Sequence, residues 1–244
     1  MKNTAIIIPT RLGAKRFPNK PLAKINNIPM IIHVMNRAKE SNIGDVFVAS
    51  GDKEILDVVK ANGGETILTK NDHSSGSDRV YEAYFKKLKN SVDLIINLQG
   101  DMPNIKPNSI LKLEKLMKSN VCDIGTLAAP LKRKSDIENP NIVKVDLEKN
   151  LKNSDFINAR DFFRTKKYLN NERVYHHIGI YAFTIDALTK YVKFPRSKLE
   201  IKRNLEQMRA MDNSMNIKVG LSNSIPLGVD TELDLKEVAN EMNY

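Results

Sequence analysis

Cysteine is nearly absent: Cys122 is the only one in 244 residues. A disulfide framework or a thiolate metal cluster within one chain is therefore excluded, and Cys122, inside the apolar-flanked stretch 121–127, reads as a small core residue. Tryptophan is missing and aromatics make up 6% of the chain. The net charge of +10 comes with lysines spread along the whole length. Charge without clustering or aromatic platforms is solvated surface, so no nucleic-acid partner is expected. Long apolar runs are missing too. The stretches 5–8, 94–96 and 178–183 fall far short of the roughly 20 residues that span a bilayer, so no membrane insertion is expected. The first run is cut by Pro9 and no small-residue cleavage site follows it. It reads as a core strand and not a signal peptide, which makes the cytoplasm the expected location. Finally, no G-x-G-x-x-G follows the first strand and no G-x-x-x-x-G-K-[ST] occurs anywhere, which removes dinucleotide and ordinary P-loop chemistries.

What is there begins with the apolar strand Ala5 to Ile8 running into Pro9-Thr10-Arg11-Leu12-Gly13-Ala14-Lys15-Arg16-Phe17-Pro18-Asn19-Lys20-Pro21-Leu22. A loop that leaves a buried strand with four cationic side chains around a small Gly-Ala pair is suited to surround several negative charges on one compact ligand, and a triphosphate is the candidate. Arg11 and Arg16 supply bidentate forks and Lys20 a point charge. On charge alone, the same loop also fits a solvated basic surface.

Apolar runs and helical patterns alternate after it: 5–8 then 29–41, 45–49 then 53–62, 94–98 then 107–119. With 41% apolar residues to build a core, this alternation predicts an α/β fold, a Rossmann-like mostly parallel sheet with helices on both faces. Pro29 suits the first position of its helix, and Gly63-Gly64 stops the next one. In the second half, 142–147 and 173–183 read as strands, 199–211 as one helix, and 216–221 followed by 230–242 as a strand, loop and helix. The polar stretch 148–171 resists assignment and predicts a lobe or hairpin over a site. The whole, 1–244, reads as a single domain with a smaller inserted lobe at roughly 145–200.

Four further features carry candidate chemistry. Gln99-Gly100-Asp101 ends a buried strand, where an Asp beside a glycine is suited to hold Mg²⁺ against phosphate oxygens; alone, it is as readily a helix cap. Asp230, in Gly228-Val229-Asp230-Thr231, opens the last helix and fits either a cap or a metal ligand. The segment Asp72 to Arg79 offers the hydroxyls of Ser74, Ser75 and Ser77 and the open backbone of Gly76 before a helix starting near Asp78, and alone it is a capped helix start. His176 and His177 alternate across a strand, so at most one faces any site.

The spacing P-x-R-x-x-x-x-R-x-P-x-K-P-L of the opening resembles the signature of the 3-deoxy-manno-octulosonate cytidylyltransferases, or CMP-Kdo synthetases, which activate an eight-carbon sugar acid with CTP for lipopolysaccharide biosynthesis. Further matches keep the order: Pro29-Met30-Ile31, Asp72 to Arg79, Gln99-Gly100-Asp101-x-Pro103, Asn139-Pro140-Asn141-x-Val143-Lys144, His177-x-Gly179-Ile180-Tyr181, Leu205-Glu206-Gln207-Met208-Arg209 and Gly228 to Thr231. They span nearly the full length. The resemblance implies nucleotide binding by Pro9, Arg11, Arg16, Lys20, Ser75, Gly76, Arg79 and Gln99. It implies Mg²⁺ held by Asp101 and Asp230, sugar-acid contacts from Gln99, His177, Tyr181, Glu206 and Gln207, catalysis by Arg16, Lys20, Asp101 and Asp230, and a homodimer with contacts from the lobe. Departures sit near the expected sugar position. Met102 stands where the family usually has Glu, Phe156-Ile157-Asn158-Ala159-Arg160-Asp161-Phe162 replaces Phe-Ser-Arg-x-x-Ile-Pro, and Asn19 and Ser77 replace Gly and Thr.

The implied reaction is attack of the anomeric hydroxyl of Kdo on the α-phosphorus of CTP, releasing pyrophosphate. Two alternatives stay open on the sequence: a cytidylyltransferase for a related acid such as 8-amino-Kdo or a sialic-acid-like acid, and a nucleotide-binding regulator that has lost catalysis. The presence of both candidate metal aspartates argues against the second.

Overall fold

The structure, a computed structural model, describes residues 3–13, 16–131, 133–152, 154–165 and 173–242. In chain order the elements are β1 (Thr4–Pro9), a 3-10 turn (Lys20–Leu22), β2 (Lys24–Ile25), β3 (Ile28–Pro29), α1 (Met30–Glu40), β4 (Asp45–Ser50), α2 (Lys53–Ala61), β5 (Glu65–Leu68), α3 (Gly76–Lys87), β6 (Leu94–Asn97) and α4 (Pro107–Ser119). There follow β7 (Ile124–Pro130), α5 (Lys134–Glu138), β8 (Lys144–Leu147), β9 (Phe156–Phe163), β10 (Val174–Thr184), α6 (Ile185–Tyr191), α7 (Lys198–Arg203), α8 (Met208–Asp212), β11 (Ile217–Leu221) and α9 (Glu232–Glu241). The chain forms two compact units, 1–111 with 226–244, and 112–225.

In the first unit β5, β4, β1 and β6 lie side by side in that order, all parallel, with Ile7 opposite Phe47 on one side and Asn97 on the other. Every residue of β1 is buried. Both of its faces are covered, which is why it reads as an unbroken apolar run and not as an alternation. Truncating Ile7 to alanine in such a strand costs about 2–5 kcal/mol. Because the strands are parallel, their carboxyl ends share one edge, and the loops after β1, β5 and β6 leave from it. Ladder-like bonds carry the alignment past the strand ends, Thr10 N donating to Ala49 O, Thr69 N to Ser50 O and Leu98 N to Ile7 O. The last helix belongs to this unit through an apolar cluster in which Val229 and Val238 pack with Ile25 and Met30, flanked by Phe17, Leu227 and Leu235.

The second unit departs from the parallel expectation. Its strands run in the order β10, β7, β11, β9, β8, and β8 pairs again with β10, so the five strands close into a ring. Only the β11–β7 pair is parallel. The reason is local: β8 and β9 are joined by a short segment with no crossover helix, and such a connection can only return antiparallel. The unassigned stretch 148–171 supplies β9, paired with β8 on one side and β11 on the other; its residues 153 and 166–171 lie outside the described ones.

Smaller differences have equally local causes. The predicted helix 199–211 is two short helices, because Asn204 adopts φ 52 and ends α7 in a left-handed cap. Pro29 sits one residue before its helix as the cap, and α3 begins at Gly76, two residues earlier than expected. Asn19, where the resembled family has glycine, also has positive φ, at 57, a conformation that asparagine tolerates better than other side chains. Cys122 is half-buried, its Sγ 3.3 Å from Met117 Sδ.

Candidate active site

The β1, β5 and β6 loops of the first unit enclose a cavity of about 270 Å³. Pro9, Arg11, Lys20, Ser75, Gly76, Arg79, Gln99 and Asp101, eight of the positions singled out from sequence, line it. Ser74, noted for its hydroxyl, and Gly100, noted as the glycine beside Asp101, line it as well, together with Thr10, Pro21 and His73, which lie inside the quoted motifs although nothing in their residue types marked them. Gly100 allows the β1 and β6 loops to approach closely, since a Cβ there would stand 3.3 Å from Pro9 O. Ala14 and Lys15 of the opening loop lie outside the described residues.

The opening loop is tied down at both ends. Leu12 N donates to Asp52 Oδ2 at 2.9 Å, and Asn19 N donates to Leu12 O. The 3-10 turn then aims Lys20 into the site, where its Nζ donates to Val229 O at 2.7 Å and lies 3.2 Å from Asp101 Oδ2 and 3.5 Å from Asp230 Oδ1. Val229 N donates to Asp101 O at 2.9 Å, so the apolar anchoring of Val229 also sets the approach of Asp230. Arg16, expected to bind nucleotide, does not line the cavity; its Nη2 pairs with Asp230 Oδ2 at 2.9 Å on the exposed side. Among the described residues no group of three or more His, Cys, Asp or Glu could hold a metal ion on protein donors alone. Asp101 and Asp230 nevertheless share one ammonium between hard oxygen donors, and a divalent ion fits such a pair when phosphate oxygens and water complete its shell.

The opposite wall is the start of α3. Ser75 caps it, its Oγ accepting from Asp78 N at 3.2 Å and donating to Asp78 Oδ2 at 2.8 Å. That hydroxyl is thus spent on the helix, and the amide-rich helix start is what Ser75 and Gly76 bring to the cavity. Arg79 is only 3% exposed; Nη1 donates to Thr69 Oγ1 at 2.6 Å and Lys70 O at 2.8 Å. Burial, together with the nearby charge of Arg11, lowers its pKa against the pull of Asp52 and Glu82. Gln99 Nε2 donates to Asn97 Oδ1, and Asn97 Nδ2 to Ser77 Oγ, so a buried polar chain fixes the amide. Met102, the departure beside Asp101, is buried in the interior.

The other expected residues belong to the second unit. His177 is buried, with Phe162 and Tyr181 rings 5.0 and 5.5 Å away. Its Nε2 is 3.0 Å from Thr126 Oγ1, whose proton goes to Ile180 O at 2.7 Å. The imidazole therefore donates through Nε2. Burial and the adjacent His176 bring its pKa down to about 3, which makes it neutral at pH 7. Burial and the Glu206 charge raise Tyr181 well above its usual value. Glu206 and Gln207 sit in the turn after Asn204, not on a helix. The Glu206 carbonyl accepts from Tyr191 OH at 2.9 Å, and Gln207 Nε2 is buried with no protein partner. Beneath that turn Arg209 forks onto Glu200, Nε to Oε2 and Nη2 to Oε1, both at 2.9 Å. Burial pushes Glu200 up, but Arg209 and Arg196 outweigh it and hold its pKa low.

The cytidylyltransferase family model matches residues 5–217. The chain belongs to that family. This cytidylyltransferase is 41% identical over 233 residues to the 3-deoxy-manno-octulosonate cytidylyltransferase of Brucella canis, covering 95% of this chain and 92% of the relative. It is 40% identical over 246 residues to the enzyme of the same name from Rhodopseudomonas palustris, covering 99% and 98%. Among solved structures it resembles a CMP:2-keto-3-deoxy-manno-octonic acid synthetase complexed with CTP, with a TM-score of 0.88, 35% identity and 98% of each chain covered.

Proposed function

We infer that this cytidylyltransferase transfers CMP from CTP to the anomeric hydroxyl of 3-deoxy-manno-octulosonate, giving CMP-Kdo and pyrophosphate. The observation that carries the reading is the convergence of Lys20, Asp101 and Asp230 at the rim of a cavity walled by Arg11, Arg79 and Gln99, in a chain with full-length relatives of that activity.

In this reading the anomeric oxygen forms a bond to the α-phosphorus, the bond from that phosphorus to the β-bridging oxygen breaks, and the hydroxyl proton is lost to solvent. Arg11 faces the β and γ phosphates. Lys20 and Arg16 stabilise the charge that builds on the α-phosphoryl and departing pyrophosphate. Gly76, Ser75 and Arg79 recognise the cytidine moiety, and Gln99 serves its sugar side. Asp101 and Asp230 would hold Mg²⁺, which when bound neutralises phosphate charge and acidifies the attacking hydroxyl. His177, Tyr181, Glu206 and Gln207 bind the sugar acid. Burial holds the imidazole neutral in the free protein, and His177 acts there as a hydrogen-bonding group. The orphan Nε2 of Gln207 is a donor awaiting a ligand oxygen.

The reading extends to a Rossmann-like character for the parallel sheet of the first unit, a homodimer, and a cytoplasmic place in lipopolysaccharide biosynthesis. No helix among the described residues is long and apolar enough to cross a membrane. The test is to supply CTP and Mg²⁺ with Kdo, 8-amino-Kdo or a sialic acid and weigh the product. CMP-Kdo as the main product supports the reading, and turnover of another acid in preference to Kdo reassigns the acceptor.

A further inference from the structure

We propose that Glu82, which does not line the cavity, is the positioning residue that sets CTP affinity and base selection by holding the segment 69–75, whose residues His73, Ser74 and Ser75 form one wall of the cavity. This rests on the reading of that wall as the cytidine-recognition surface.

The carboxylate of Glu82 gathers three donors. Oε2 accepts from Lys70 N at 3.0 Å and hydrogen-bonds to His73 Nε2, and Oε1 lies 2.6 Å from Lys86 Nζ. Burial pushes this carboxyl up, yet hydrogen bonds from Lys86, the Lys70 amide and His73 outweigh it and bring its pKa down to about 2. Arg79 stands three residues earlier, on the same face of α3, and takes the other side of the same segment: Thr69 Oγ1, Lys70 O and, at 3.4 Å, Asn71 O. Lys70 is thereby gripped at both its N–H and its C=O by one helix. The end of β4 closes the path from behind, since a Cβ on Gly51 would meet Asn71 Oδ1 at 1.7 Å. The next residues along, His73, Ser74 and Ser75, are cavity wall. A segment with no regular structure between Lys70 and Ser74 thus holds its course because a carboxylate behind it collects the amide and the imidazole.

Such a splint matters more for a base pocket than for a phosphate pocket. Phosphates are recognised by charge that tolerates small shifts, whereas choosing cytosine over uracil depends on hydrogen-bond direction at one ring edge. Loosening residues 70–73 should therefore weaken nucleotide binding and blur the choice of base, and leave the chemistry of the bound complex largely unchanged.

The experiment titrates CTP and UTP calorimetrically, without acceptor, into the wild-type protein, Glu82→Ala and Glu82→Gln, followed by steady-state kinetics. Glu82→Gln keeps the shape and an oxygen for Lys70 N–H while removing the charge that fixes His73, so it reports even where Glu82→Ala unfolds. Expected are a loss of CTP affinity of about tenfold for Glu82→Ala and about threefold or more for Glu82→Gln, with the CTP/UTP ratio falling in step. At saturating CTP, kcat and the KM for the acceptor stay within about twofold. The proposal is overturned if both Glu82 variants bind CTP within about twofold of wild type, or if kcat falls while CTP affinity holds. A wild-type protein that does not bind CTP sinks the nucleotide reading itself, and the proposal with it.

Discussion

Lys20 Nζ sits 3.2 Å from Asp101 Oδ2, although the two residues are 81 positions apart and leave different strands of one parallel sheet. The same ammonium reaches Asp230 from the last helix's entry turn and is fixed by Val229 O. One cation thus holds two carboxylates that would otherwise repel. It also stands beside the cavity wall where phosphate charge has to be received.

Lys20→Met is expected to lower kcat/KM by about 10²–10³, the usual cost of removing a preorganised cation from a site of charge transfer. Pyrophosphate release measures it. Because Lys20 and Asp101 keep some solvent contact, the melting temperature should move little; a collapse of the fold would show that the lysine is chiefly structural.

Asp101→Asn and Asp230→Asn keep volume and hydrogen-bonding shape but remove charge. Each should cut turnover by orders of magnitude and weaken Mn²⁺ binding, read by electron paramagnetic resonance, with a melting temperature near wild type. Near-normal turnover in Asp101→Asn would reject the metal assignment.

Tyr191→Phe deletes the hydroxyl that holds the Glu206 carbonyl and leaves the ring beneath the Arg209 guanidinium, 4.6 Å away. The turn bearing Glu206 and Gln207 should loosen. The KM for the sugar acid is expected to rise about three- to tenfold with CTP affinity unchanged. An equal rise in both would place the effect elsewhere.

Stability should fall on acidification through His177. Its folded pKa of about 3 lies below the unfolded value of 6.5, so between those limits the unfolded chain binds the extra proton and stability is lost as pH drops. The slope from this one group approaches ~1.4 kcal/mol per pH unit below about pH 6. Glu82, at about 2 against 4.5, adds a loss in the same direction only below about pH 4.5. Chemical denaturation at pH 7, 6 and 5 tests this, with a flatter dependence expected for His177→Gln.

Three of the four parallel strands were legible in the sequence because both of their faces are covered, so 5–8, 45–49 and 94–98 stand out as runs, and 107–119 carries a helical period that matches α4; β5 was not, because Glu65 and Leu68 are exposed and it shows no such run. The strand β9 was not legible. Asn158, Arg160 and Asp161 break its apolar pattern, and its partners β8 and β11 come from separate parts of the chain. The helix at 199–211 misled because its apolar spacing continues through Asn204, while that residue's positive φ turns the chain.

At the site, the loop cations and the two aspartates could be read from motifs. Their convergence came only as something the family resemblance implies, since it depends on Val229 and Val238 packing with Ile25 and Met30, a contact across most of the chain. Glu82 escaped for a related reason. Nothing on the surface of α3 signals a carboxylate's purpose until residues 69–75 are seen folded back over it.

The most direct measurement of the central claim is pyrophosphate release with Kdo and Mg²⁺ and each of CTP, UTP, ATP and GTP in turn. The account predicts rapid release with CTP and rates at least about a hundredfold lower with the other three. Equal use of UTP or ATP, or no release from CTP with Kdo present, would contradict it.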